Sequence, residues 1–252
     1  MDEIQARREG ASNERLHIAL LGPPSVLWAG RPLPIPRRQA PALLYRLATP
    51  AGASLQPVSR DQLCFLLWPD LPQAAARRNL SVVVAQLRHA LPRDDVLVVT
   101  GHTIGLHEEA IVTDMATFAA LVPHALRTGS LPDLAATVRL YRSPFLDGFA
   151  LPDAPEFEAW ADGERQAWER RYLDTLATLV AGYQAEGAYS EAIAVAQQAL
   201  TTDPLAEEQH RTLIALYIIW PSSHCAEVNL RRPLWASPRV LPGSPRHGSS
   251  GA

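Results

Sequence analysis

The sequence predicts a mainly α protein in which an α+β N-terminal part precedes an all-α part. Two observations predict it. Between residues 16 and 107, short apolar runs broken by Gly and Pro give way to three segments of helical spacing and then to two short β-type runs. Between 177 and 217, apolar and small residues fall at fixed helical offsets, and two of them recur 34 positions later. With 252 residues the chain is long enough for two ordinary domains, each with its own core.

The elements follow in order. Residues 1 to 15 are polar, charged and without period, and are expected to form a flexible leader. LHIALLG (16 to 22), PSVLWAG (24 to 30) and RPLPIP (31 to 36) predict a small antiparallel sheet with its tightest turn at Gly30-Arg31-Pro32. From Arg37 the spacing becomes helical: Ala40, Leu43, Leu44 and Leu47 mark one face, and the signal stops at Thr49-Pro50-Ala51-Gly52. Ser59 is placed to cap a second helix, Arg60 to Trp68, with Leu63, Leu66 and Leu67 on its buried side. Trp68-Pro69-Asp70-Leu71-Pro72 breaks the chain, a third helix runs from Gln73 to Leu91, and Pro92 ends it. VLVVT (96 to 100) and TIGLH (103 to 107) flank Gly101-His102 as a hairpin. Sheet, three helices and hairpin within about 90 residues make a winged helix, assigned to residues 16–108. In that arrangement the third helix is held at an angle suited to a DNA groove.

The third helix carries the candidate chemistry. Leu80, Val83, Val84, Leu87 and Leu91 form a narrow apolar stripe at 100° per residue, which docks on a core. Arg78, Val82, Ala85 and His89 project the opposite way, with Ser81 and Gln86 beside them and Arg77 and Arg88 on the flanks. No carboxylate of this helix interrupts that face, whereas a merely solvated helix mixes Glu with Arg. Arg forks to guanine, Gln pairs with adenine, and Val or Ala meets a thymine methyl. Arg78 and Gln86 are the expected base readers, Arg77 and Arg88 the phosphate contacts. His102 and Thr103 at the hairpin tip are candidates for an adjacent groove or phosphate.

Charge divides the chain in the same place. From Arg37 to Arg93 there are eight Arg against Asp61 and Asp70; from Asp133 to Tyr217 there are six Arg against 14 acids. The first part attracts phosphate and the second does not. All 23 basic residues are Arg, so no lysine-dependent mechanism or Walker-type ATP site exists. No nucleophile elbow, glycine-rich phosphate loop or Ser/His/Asp pattern is present, and no enzymatic activity is expected. His102 and His107 lack the Cys or carboxylate partners a metal needs, so neither a metal nor a cofactor is expected. Cys64 reads as a reduced core thiol. With no apolar leader and no run of about 18 apolar residues, the expected location is the cytoplasm, with no membrane partner.

The stretches GPPSVLWAGRPLPIPRRQAPALLYRLA, VSRDQLCFLLWPDLPQAAARRNLSVVVAQLRHAL and VVTGHTIGL resemble the winged-helix domain of SARP-type (antibiotic-regulatory) bacterial activators, itself related to the OmpR-type effector domain. VTDMATF (112 to 118) and the helical region after it resemble the bacterial transcriptional activator domain of the same proteins. The resemblance covers roughly 16 to 217. It implies a sequence-specific regulator, an activator bound as a homodimer to repeated half-sites of double-stranded DNA and recruiting RNA polymerase. It also implies that the loop holding Trp68, Asp70 and Leu71 is the polymerase contact.

The second part stands on its own pattern too. Leu179, Tyr183, Gly187, Ala192, Ala196, Ala199 and Pro204 occupy tetratricopeptide offsets, and Leu213 and Tyr217 repeat Leu179 and Tyr183 at 34 residues. Residues 112–217 are therefore assigned to a tetratricopeptide-like domain for self-association or sensing. Trp160 and Trp168 are expected in its core. The repeat then stops, and PSSHCAEVNLRRPLWASPRVLPGSPRHGSSGA has neither period nor core. Residues 218–252 are expected to be disordered, as a natural extension or an out-of-frame tail. Two other readings compete: a protein-binding adaptor with a degenerate winged helix, and an inactive truncated fragment. With no receiver domain ahead of the winged helix, control is expected from expression level, a partner, or a ligand of the helical domain.

Overall fold

A computed structural model describes residues 15–36, 38–52 and 54–230, with backbone alone for 220–230. The leader 1–14 and the tail 231–252 lie outside the described residues. The architecture is mainly α, with an α+β winged helix first and helices after it, as the sequence predicts.

Strand β1 (Leu16–Ala19) pairs antiparallel with β2 (Ser25–Trp28), and β2 with the edge strand β3 (Arg31–Pro32). Trp28 faces Arg31, so the turn is Ala29-Gly30, one residue earlier than predicted. Both residues have left-handed backbone, φ +49° and +75°. Tight hairpins need that mirror-image turn because its twist matches the strands. Pro32 sits in the edge strand, where its missing N–H is tolerated.

Helix α1 (Gln39–Ala48) buries the predicted stripe Ala40, Leu43, Leu44 and Leu47. Strand β4 (Val58–Ser59) leads into helix α2 (Arg60–Leu67). Ser59 caps α2: its Oγ accepts the Gln62 N–H at 3.1 Å, while Gln62 Oε1 accepts the Ser59 N–H at 3.3 Å. This reciprocal box satisfies two helix-end donors. Leu63, Cys64 and Leu67 are buried, Cys64 as a free thiol, and Leu66 is half-buried. Trp68 is the residue that ends the helix rather than its last member.

Helix α3 (Gln73–Ala90) packs on both α1 and α2 through the predicted stripe: Leu80 and Leu87 are wholly buried, and Val83, Val84 and Leu91 nearly so. Strands β5 (Leu97–Val99) and β6 (Thr103–Leu106) form the hairpin, and β4 adds to β6 in a three-stranded wing of order β4-β6-β5. Gly105 lets the chain at Pro57 come close: a Cβ there would lie 3.2 Å from the Pro57 Cα.

Strand β7 (Ile111–Thr113) then returns to pair parallel with β1, giving a first sheet of order β3-β2-β1-β7. The sheet is therefore mixed rather than wholly antiparallel; three residues are too few for alternation to reveal such a strand. Helix α4 (Asp114–Thr128) follows directly. The Asp114 carboxylate accepts the backbone N–H of Leu20 and Leu21, each at 2.9 Å, and so fastens the end of β1 to the start of α4. Burial pushes this carboxyl above its usual range, against the lowering by those N–H groups and Arg142.

Helices α5 (Leu131–Val138) and α6 (Pro155–Ala185) continue the same compact unit, which ends at Glu186. Its core includes Phe145, Phe157, Trp168 and Leu176, and an edge-on aromatic contact of 5.1 Å joins Tyr45 of α1 to Phe149. Trp168 is buried, as expected; Trp160 is half-buried, with the Arg46 guanidinium 5.3 Å from its ring. The sequence division at 108 to 112 thus falls inside a compact unit, because β7 pairs in the first sheet and Asp114 binds the end of β1.

From Gly187 the chain forms a second unit of helices α7 (Tyr189–Thr202) and α8 (Glu207–Leu230). Gly187 has φ +73°, which suits the turn that the repeat pattern placed there. Ala192, Ala196 and Ala199 are buried, and their small size lets α8 lie close. Helix α8 runs to Leu230, so regular structure does not stop at 217 as expected. Pro221 removes one helical hydrogen bond, but Cys225-Ala226-Glu227-Val228-Asn229-Leu230 after it are compatible with a helix. No helix of the described residues is long and apolar enough to cross a membrane.

Candidate nucleic-acid interface

Helix α3 turns its polar face outward as its stripe requires. Arg77, Arg78, Ser81, Val82, Ala85, Arg88 and His89 are all exposed, Val82 by 52%. They differ in how they are held. At the N-terminal end, Arg77 is tied to Asp61 of α2 by Nε and Nη2, at 3.1 and 2.8 Å. Ser81 Oγ accepts from Arg60 Nη2 at 3.1 Å and donates to the Arg77 carbonyl at 2.9 Å. The Arg77 hydrogen bond, with help from Gln73 and the nearby His102, holds the Asp61 carboxyl below its usual range. By contrast Arg78, beside Arg77, and Arg88 and His89 at the other end make no hydrogen bond or ion pair with another described residue.

Gln86 is placed differently from its neighbours. It is half-buried, and its Oε1 is buried with no partner among the described residues. In this rotamer the amide does not offer the acceptor half of an adenine contact, so reading a base requires the side chain to rotate.

The wing lies against the start of α2. The His102 carbonyl accepts the Arg60 N–H at 2.9 Å, and His102 itself is exposed. Thr100 fixes the turn: its Oγ1 accepts from the N–H of both His102 and Thr103, at 3.2 and 2.9 Å, and lies 2.9 Å from the Thr103 hydroxyl. Thr103 is half-buried. Arg60 therefore joins wing and helix, backbone to one and side chain to the other. Chemically, the face offers cations and small apolar groups around one carboxylate, the pattern that accommodates phosphate oxygens and base edges.

The family model described as "Bacterial transcriptional activator domain" matches residues 113–219. Among solved structures, Mycobacterium tuberculosis EmbR, in complex with a low affinity phosphopeptide, is similar to this chain, with a TM-score of 0.66 and 25% identity over 86% of this chain. Residues 113–219 therefore carry the bacterial transcriptional activator domain, and the two likenesses together support a SARP-type regulator. It spans 58% of the EmbR chain, and the phosphopeptide is a ligand of that protein. No curated protein matches the sequence.

The α2–α3 loop leaves Trp68 half-buried and Asp70 and Leu71 exposed, Leu71 by 40%. The Trp68 N–H donates to Cys64 and its carbonyl accepts from Leu71, which makes the loop a tight turn. Sequence reasoning missed Arg60, Asp61 and Thr100. The signal for the first two was available: they are the first residues after the Ser59 cap, and in a helix-turn-helix that end of the second helix approaches the third. Thr100 left none, because its role depends on the turn geometry. Among the described residues no three His, Cys, Asp or Glu side chains are grouped to hold a metal.

Proposed function

We propose that this SARP-type regulator binds double-stranded DNA sequence-specifically through α3, as a homodimer on repeated half-sites, and activates transcription by recruiting RNA polymerase in the cytoplasm. The observation that carries the reading is the outer face of α3, where Arg78, Arg88 and His89 stand exposed and unengaged among the described residues. Arg78 reads a base edge, with Val82 and Ala85 against thymine methyls; Arg88 and His89 take phosphate. Arg77 and Ser81, already held by Asp61 and Arg60, set the helix orientation. His102 and Thr103 meet the neighbouring backbone. Trp68, Asp70 and Leu71 face the polymerase. The helices after residue 112, read as the tetratricopeptide-like domain, mediate self-association. The reading assigns the chain no catalytic step.

Selection of bound fragments from the source genome by the purified chain tests this. The expected result is a repeated motif, bound more weakly as salt rises because phosphate contacts release counterions. Arg78→Ala is expected to cost about 5- to 150-fold in affinity, the range of about 1–3 kcal/mol for one good base contact. In a transcription assay with purified polymerase, Leu71→Ala is expected to reduce activation while leaving DNA affinity unchanged. A well-folded, monodisperse chain that enriches no fragment overturns the reading.

One observation favours a second reading, a protein-binding adaptor. Helix α8 exposes Ile214 by 61% and Ile218 by 69%, an apolar surface of the kind that docks proteins. Retention of a partner protein by a chain that selects no DNA distinguishes it.

A further inference from the structure

We propose that the cavity between α4 and α6 is a binding site for an uncharged amphipathic small molecule. It is an open cleft of about 430 Å³, within the range of small-molecule sites. Phe118 and Val122 of α4 and Leu134 of α5 make its walls apolar, and Arg171 and Asp174 of α6 stand at its mouth.

Two features of the sequence keep the space open. Pro123, inside α4, has no N–H to give the Ala119 carbonyl, and a proline ring pushes that carbonyl away and bends the helix. Both residues line the cavity. Opposite them, α6 presents Thr175 and Thr178 where longer apolar side chains would fill the gap. Helix α5 packs on both α4 and α6, and the edge-on contact of Phe118 with Trp168, 5.9 Å between centroids, also spans them.

The mouth determines the class of ligand. Arg171 and Asp174 lie one turn apart, both exposed, and neither is ion-paired among the described residues. The Arg171 guanidinium lies 4.6 Å from the Trp168 ring centroid. A cation beside an anion favours neither sign of ligand, yet it supplies one strong donor and one strong acceptor. The Thr175 and Thr178 hydroxyls spend their protons on the carbonyls of Arg171 and Asp174, at 2.7 and 2.9 Å, and keep lone pairs to accept with. An apolar body with a hydroxyl, amide or carbonyl head matches this set. An ionic head meets a like charge.

Gly52, in the loop after α1, also lines the cavity. An occupant therefore touches the winged-helix part and the helices after it within one compact unit. A ligand that prefers one arrangement of those parts shifts the population toward it. That consequence for DNA rests on the proposed function; the binding itself does not.

The test is titration of the purified full-length chain with Nile red, an uncharged apolar dye, and in parallel with the anionic dye 8-anilinonaphthalene-1-sulfonate. The expected result is one Nile red per chain, bound more tightly than the anion. Binding should fall at least tenfold in Val122→Trp, which fills the cavity, and should persist in Ile218→Ser, which alters the exposed face of α8. Hydrogen exchange on the unmodified chain keeps the test open should Val122→Trp not fold: dye-dependent protection confined to 118–126 and 171–178 supports the site. Unchanged affinity in a folded Val122→Trp, loss in Ile218→Ser, or protection elsewhere or nowhere overturns the site, and tighter binding of the anion in the cavity overturns the ligand class.

Discussion

Helices α3 and α8 both carry several large apolar residues, yet only α3 has nearly all of them covered. In α3, Leu80, Val83, Val84 and Leu87 are all at most 7% exposed because α1 and α2 lie against them. In α8, Leu216 is wholly buried, while Ile214, Tyr217, Ile218 and Ile219 remain 41–69% exposed. The Tyr217 hydroxyl accepts from Gln197 at 2.9 Å, a polar tie to α7 beside an otherwise open face. Apolar spacing states which residues seek burial. Whether they obtain it depends on a neighbouring element, which spacing within one helix does not encode.

Three substitutions probe that contrast. The largest effect is expected for Leu80→Ala, which leaves a cavity at the centre of the α3 stripe: a loss of about 3–5 kcal/mol in urea denaturation followed by circular dichroism. A loss below about 1 kcal/mol would mean that α3 is no better covered than α8. Next comes Ser59→Ala, which removes the cap of the helix supporting α3 and is expected to lower stability by about 1 kcal/mol, read as a drop in melting temperature. The smallest effect is expected for Ile218→Ser, within about 0.5 kcal/mol by calorimetry, because that side chain is already largely in water. A cost of about 2 kcal/mol there would show that the face is covered after all.

The fold was readable where its causes are local. Ser59 announced α2 through its own hydroxyl, and Leu80 to Leu91 announced the buried side of α3 by period alone. The Ala29-Gly30 turn lies one residue before the position that Gly30-Arg31-Pro32 suggests, because Ala29, a residue that rarely adopts positive φ, takes one of its two left-handed positions. Strand β7 was not readable: its partner, β1, lies far back in the chain. The candidate interface divides in the same way. Which residues face outward on α3 follows from spacing, and seven of its eight candidates are exposed, Gln86 being half-buried. Which of them are already engaged does not follow, because Asp61 and Arg60 reach them from another helix. The absence of carboxylate from α3 was correctly read, and a carboxylate stands on that face all the same.

Asp114 bonds to backbone groups 94 residues earlier, beside the parallel pairing of β1 with β7. In the order of synthesis, the first strand of this protein therefore waits for a partner that emerges only after the whole winged helix has been made. A fragment cut at residue 108 would leave one side of β1 unpaired and the N–H groups of Leu20 and Leu21 without their acceptor. The shortest piece expected to behave like the intact chain in solution is thus the unit that reaches Glu186.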